Sequence, residues 1–420
     1  LEPGRVIEKT FYIEAYPIDA EGTGFQTPVY TSLDLHRPYD ADRFPSFDEI
    51  VRGKYNFAKN RWIDLGNGAV GFNMYDNSLR KELVMGWCGQ ADSPGYSLQV
   101  LSKRLNDSQI DDMVQKSLDF LTTYEINPET GLFPVRYDGK GYCQGDPVSC
   151  GQAMYNFAKA IETARKSGRY DTSKWEVFLR KACDAASARI LSEGWNPKST
   201  AEGFYIAPLA ISSKLFKNKT YRQAAEKAAQ LYADRHLTMN GCYWGGTLDA
   251  TCEDKEGSWA AFQGFLEMYE RFKDAKYLQW AKHAMDVCLS YVVVWDIPLP
   301  AGRMADYNFK TTGWTVVSAQ NQHIDVYGVL FAPEVYKMGK YLQDDRLCSL
   351  AKVMYRSCYQ LTDAYGSQGE QLQQTNFAQR GDMSDVYRLR GGYAERWTVF
   401  WITAHFLNAA ARFEELRNFQ

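Results

Sequence analysis

Carboxyl groups crowd one stretch of this chain. Between Trp244 and Trp259 lie Asp249, Glu253, Asp254 and Glu256, directly ahead of a helical pattern. Carboxyls in pairs suit glycosidic cleavage, where a protonated acid assists the leaving group and a second carboxylate serves as base or nucleophile. Neighbouring carboxylates repel, so one of them keeps a proton near neutral pH. Glu253 or Asp254 is the candidate acid. Glu256, in a first helical turn, reads as an ordinary helix-start residue.

Two further clusters carry polar side chains of the same kind. One runs from Trp314 through Gln320, Asn321, Gln322 and His323 to Asp325 and Tyr327, so an imidazole, a carboxylate and three amides stand together. His323 is a candidate for proton transfer and Gln322 for bonding sugar hydroxyls. The other runs from Glu370 through Arg388, Arg390 and Tyr393 to Glu395. Arginine forks match a carboxylate with two hydrogen bonds, which makes Arg388, Arg390 or Arg303 candidates to hold an acidic ligand. Gly391 and Gly392 let the backbone approach a ligand beside Arg390. Asp146, Asp325 and Glu395 are candidate second carboxylates. Arg136, Tyr142, Trp87, Gln90, Trp244, Trp259 and Trp314 complete the candidate sugar contacts, since an open Trp or Tyr face stacks on a sugar ring while a covered one fills space.

Composition narrows the alternatives. Hydrophobic residues make up 45% of the 420 and charged residues 24%, which fits a folded chain with a sizeable core. The formal net charge of -3 offers no bulk attraction for nucleic acid or acidic membranes. No apolar run approaches the roughly 20 residues of a membrane span. There is no Walker loop, GxGxxG opening a βαβ unit, HExxH or GxSxG elbow, and no Cys or His spacing for a metal. No cofactor is implied. Cys143 with Cys150, and Cys242 with Cys252, each bracket a short polar loop and could be bridged in an oxidising compartment. Cys183, Cys288, Cys348 and Cys358 fall in helical patterns, as buried thiols do.

The elements that must position these groups are helices. Hydrophobic periodicity predicts them over 46–61, 94–105, 107–125, 147–168, 172–192, 202–217, 219–236, 256–273, 275–293, 321–338, 344–364 and 391–417. Asp107, Asp171, Asn218, Asp274 and Asp344 stand where an N-cap oxygen is wanted. Residues 1–45 read as an irregular arm with a strand or two, such as Arg5–Tyr16. Tight connections alternate with long ones, so the helices form hairpins whose long loops gather at one end. Six hairpins are enough to close an all-α (α/α)6 toroid over residues 46–420. Its inner ring would be crowded, and Gly151, Ala153, Ala207, Ala260, Gly264 and Ala404 supply small residues there.

In this architecture, and in the local look of Gly86-Trp-Cys-Gly-Gln90, Asn127-Pro-Glu-Thr-Gly-Leu-Phe133, Tyr243-Trp-Gly-Gly-Thr-Leu-Asp249 and Cys252-Glu-Asp-Lys-Glu-Gly257, the chain resembles the six-hairpin glycosidase superfamily. Among its members the chain is most similar to enzymes that release glucuronic or unsaturated uronic acids from polysaccharide fragments. The resemblance implies a glycoside hydrolase acting on a uronic-acid oligosaccharide, and it draws attention to Asp146 because aspartates at comparable helix starts matter in uronyl hydrolases. A periplasmic or secreted location is the expectation, with a cytoplasmic one left open. Two other classes stay open: a lyase or epimerase using His323 with Tyr327 or Tyr393, and a non-catalytic sugar-binding toroid.

Overall fold

The computed structural model describes residues 4–78, 80–86, 92–139, 142–143, 145–197, 199–238, 254–299, 303–316, 324–366, 368, 371–372 and 400–416. Each of the twelve expected helices is present. Before them, inside the arm, lies α1 (Gln26–Leu35). The first two of the twelve are α2 (Phe47–Asn60) and α3 (Ser93–Leu105). Then come α4 (Ile110–Leu121), α5 (Pro147–Ser167), α6 (Ser173–Leu191), α7 (Ile206–Leu215) and α8 (Lys219–Thr238). They continue as α9 (Lys255–Phe272), α10 (Ala275–Ser290), α12 (Gly328–Leu342), α13 (Asp345–Ser357) and α14 (Phe400–Glu414), with an additional single turn, α11 (Arg303–Asp306), between α10 and α12.

Packing sorts them into two rings. The helices α3, α5, α7, α9, α12 and α14 touch in that order, and α14 returns to α3. Outside each stands a partner: α4, α6, α8, α10 and α13 follow their inner helix, whereas α2 covers α14 and closes the sixth hairpin from the other end of the chain. Burial follows from this placement. Inner α9 is buried without a break from Lys255 to Met268, while outer α4 buries Ile110, Met113, Val114, Ser117, Leu118, Phe120 and Leu121, close to the spacing of one face. Crowding explains the small residues: a Cβ on Gly151 would stand 2.7 Å from Phe204, and one on Gly264 2.8 Å from Ile206.

The five tight turns are capped as expected. Side-chain oxygens of Asp107, Asp171, Asn218, Asp274 and Asp344 each accept a backbone N–H two residues on, at 2.8–3.0 Å. Short strands stiffen the other end: β1 (Trp62–Asp64) with β2 (Val70–Phe72); β3 (Leu83–Val84), β4 (Arg136–Tyr137) and β5 (Tyr142–Cys143); and β6 (Thr315–Val316), β7 (Ile324–Asp325) and β8 (Gln371–Leu372).

Three expectations need correction. Residues 5–16 form no strand, and Phe11 and Ile13 are exposed. The arm is held instead through α1, whose Gln26 and Tyr30 donate to the buried Asp286 of α10. The helix expected from 321 begins at Gly328, since Ile324 and Asp325 pair with Val316 and Thr315. Cys150 is a free thiol, buried against Phe133, so it is not bridged to Cys143. Cys183, Cys288, Cys348 and Cys358 are free and buried as expected, and Cys242 and Cys252 lie outside the described residues.

Candidate active site

All six inner helices point their N-termini toward the end where the long loops emerge. Unpaired amides and the positive ends of the helix dipoles therefore face one mouth, an environment that favours carboxylates. Asp92, Asp146, Asp254 and Asp325 stand at or just before the starts of α3, α5, α9 and α12.

On one arc, Asp92 is wholly buried. One oxygen accepts the Gly86 N–H at 2.8 Å and the other the Asn156 amide of α5 at 2.6 Å. Asn156 in turn accepts from Asn408 of α14, so Asp92 anchors a chain across three inner helices. Burial pushes its carboxyl up to about 7, against the pull of those donors. Gly86 has φ +84° and lies on the start of α5, where a Cβ would come within 2.0 Å of the Ser149 carbonyl, so only glycine fits. Asp146 caps the same helix start: its oxygens accept the Ser149 N–H and hydroxyl, both at 2.9 Å, while the residue stays exposed at the lip. Gly86 thus joins the loop carrying Asp92 to the turn carrying Asp146.

On the other arc, Asp254, Lys255, Glu256 and Asp325 are all 0% exposed. Asp254 caps α9, accepting the Gly257 N–H at 2.8 Å. The Lys255 ammonium pairs with Asp325 and stands 3.1 Å from Glu256 Oε1. Asp325 also accepts from the Thr315 hydroxyl and the Tyr327 N–H. Lys255 lies over the Tyr327 ring at 5.0 Å, and that ring meets His405 of α14 edge-on at 5.7 Å. Burial, helped by Arg412, pushes His405 down to about 3, so the imidazole is neutral at any ordinary pH.

Below the mouth the walls meet. Gln152 of α5 donates to Gln263 of α9 at 3.1 Å, forming a floor. Asp146 and Glu256 lie six and seven residues before those glutamines on their respective helices. At a rise of about 1.5 Å per residue, the backbone at both positions lies roughly 9–10.5 Å along its helix from that floor.

Sequence reasoning identified Asp146, Asp254 and Asp325 as candidates, and the structure brings all three to the mouth. Two expected sugar contacts are corrected. Trp314 is 0% exposed, with its indole N–H on the Ser357 carbonyl and its ring against Phe309; Trp259 is 3% exposed and packs edge-on against Phe204. Both fill the core. Arg136 is exposed beside Glu82, Tyr142 pairs through its backbone with Tyr137, and Arg303 opens α11. Trp87, Gln90, Trp244, Glu253, Gln322, His323, Arg388, Arg390, Tyr393 and Glu395 lie outside the described residues. Glu256 and His405 were missed as site residues: a first-turn acid is common, and nothing near His405 in the sequence hints at Tyr327, 78 residues earlier.

No family model matches the chain, and no curated protein does. Its shape, however, is shared. It is similar to the crystal structure of D-mannose isomerase, with TM-score 0.60 and 12% identity over 89% of this chain and 99% of that one. It is similar to the unsaturated glucuronyl hydrolase of Streptococcus agalactiae, with TM-score 0.55 and 14% identity over 96% and 98%. A sugar epimerase from a ruminal bacterium gives TM-score 0.58 and 12% identity over 88% and 99%. The chain has the six-hairpin (α/α)6 toroid fold of these enzymes.

Proposed function

We propose that the chain is a sugar-processing enzyme, and within that class a glycoside hydrolase that removes a terminal uronic acid, β-glucuronic acid being the leading candidate, from polysaccharide-derived oligosaccharides. One observation carries the reading. Five carboxyls from four inner-helix starts, far apart in the chain, share one mouth, and four of them are fully buried while Asp146 is exposed. Glycoside hydrolysis needs such a set: a carboxylate that meets water or the sugar, and a carboxyl that holds a proton. In this scheme Asp146 is the base or nucleophile at the lip. Asp92 acts as a positioning residue, holding the Gly86 turn against Ser149 and so fixing where Asp146 points. The acid comes from the start of α9. The shared fold with a glucuronyl hydrolase supports the substrate class, and the chain's arginines near the long loops are suited to a uronate.

Incubation with 4-nitrophenyl glycosides and with uronide oligosaccharides tests this directly. Release of a uronic acid, abolished by Asp146→Asn, is the expected result. No release from any uronide would overturn it. A second reading, a sugar isomerase or epimerase, is favoured by the fold shared with D-mannose isomerase and a sugar epimerase. Isomerised sugar without cleavage in the same incubations would establish that alternative.

A further inference from the structure

We propose that Glu256 is the acid of this site: it carries the proton taken by the departing glycosidic oxygen, while Asp146 across the Gln152–Gln263 floor receives the proton of the attacking water. This rests on the hydrolase reading and deepens it.

The first argument is a count of charge. Around Glu256 are Asp254 and Lys255 at the start of its own helix and Asp325 on β7; behind them, Tyr327 at the head of α12 lies under Lys255, and Cys358 at the end of α13 stands by Asp325 and Lys255. Burial pushes the Cys358 thiol well up, so it stays neutral. Three carboxyls and one ammonium, each 0% exposed, would leave two unpaired negative charges if all ionised. Retaining a proton is the less costly state.

The second argument says which carboxyl keeps it. Asp325 receives Lys255, the Thr315 hydroxyl and the Tyr327 N–H, and Asp254 receives the Gly257 N–H. Glu256 has only a share of Lys255 at Oε1; among the described residues, Oε2 has no hydrogen-bond partner. Donors stabilise the ionised form, so the proton settles where they are fewest. In agreement, burial raises the Glu256 carboxyl far above its ordinary range, Lys255 pulls it back, and Asp254 and Asp325 raise it again. A buried carboxyl oxygen without a partner is costly, and a ligand oxygen lodged against Oε2 removes that cost.

The third argument is position. Glu256 and Asp146 stand at similar heights on helices joined by the Gln152–Gln263 contact; in this scheme the sugar lies between them. The step balances: the glycosidic C–O bond breaks with its electron pair going to oxygen, which takes the Glu256 proton. Water adds to the sugar carbon and gives its proton to Asp146, and exchange with solvent restores both groups.

The test is leaving-group dependence. Glu256→Gln is compared with wild type and Glu256→Asp on a 4-nitrophenyl uronide, whose leaving group needs no acid, and on an alkyl uronide, whose leaving group does. A loss of roughly 100-fold or more in kcat/KM on the alkyl uronide, a much smaller loss on the 4-nitrophenyl one, and disappearance of the alkaline limb of the pH profile are expected. Partial recovery by Glu256→Asp supports the assignment. Equal losses on both substrates, or a retained alkaline limb, overturn it. Infrared difference spectra of wild type against Glu256→Gln at pH 7 give a readout without turnover. Absence of a protonated-carboxyl band removes the inference even if uronides are cleaved. If no uronide is cleaved, the hydrolase reading and the acid role fall together, and a band that remains still locates the proton on Glu256.

Discussion

Both ends of this toroid start their helices with aspartate, yet the two sets live in opposite surroundings. At the tight-turn end, Asp107 is half-buried at the surface and bonded by Lys59, Gln109 and Tyr55, and its carboxyl is held down to about 2, the Lys59 hydrogen bond being the largest cause. Asp171 and Asp344 are likewise lowered by hydrogen bonds from Ser173 and Arg346. At the mouth, Asp92 occupies the equivalent position before a helix but is sealed from water, and burial drives it up to about 7. Position along a helix does not decide whether a carboxyl keeps its proton; desolvation does.

The sharpest way to break the comparison is at the exposed mouth aspartate. Asp146→Asn should lower kcat on a uronide by roughly 100-fold or more while the far-ultraviolet circular dichroism stays that of wild type. Activity within a few-fold of wild type would reduce Asp146 to the same capping role as Asp107.

Next in size is a pair of opposite pH slopes. Folded Asp92 binds its proton more tightly than the unfolded chain does, about 7 against an ordinary 3.8. Between those values the native state keeps a proton that the unfolded state has lost, so stability falls as pH rises through that window, on the order of 2–4 kcal/mol in all. Asp107 behaves the other way: its contribution is present above 3.8 and is lost as pH falls toward 2. Urea unfolding of wild type, Asp92→Asn and Asp107→Asn at pH 2.5, 4.5 and 8 measures both slopes. The Asp92 variant should lose the decline between pH 4.5 and 8, and the Asp107 variant should be less sensitive to acid than wild type. Identical slopes in all three proteins would contradict the contrast.

The smallest effect belongs to the cap itself. Asp107→Ala should cost about 1 kcal/mol of stability and leave kcat and KM unchanged. An activity loss there would mean that the two ends communicate.

Much of the architecture was legible because each helix announces itself locally, by apolar spacing and by a capping oxygen such as that of Asp274 or Asp344. The closure of the ring followed from the alternation of short and long connections. What was not legible depends on contacts between distant residues. The start of α12 is delayed to Gly328 by pairing of β7 with β6, and α1 is docked by Asp286, more than 250 residues away. Trp259 and Trp314 look identical in sequence to sugar-stacking tryptophans, and only the packing of Phe204 and Phe309 against them decides otherwise. Glu256 looked like an ordinary first-turn acid until Asp325, 69 positions later, was seen to compete for the same lysine.

The pairing of α2 with α14 has a consequence for synthesis. While a ribosome is still extending the chain, the helices already made can assemble only an open crescent, with α2 and α3 at one tip and α12 at the other. Asn156, Lys159 and Glu334 remain on its raw inner seam until Asn408 and Arg412 on the final helix, and Glu415 just after it, arrive together. Contacts spanning so much chain close slowly. The last step of folding is therefore the one that both shuts the ring and neutralises its interior, and a chain halted before α14 holds a complete set of mouth aspartates on a scaffold that has no wall behind them.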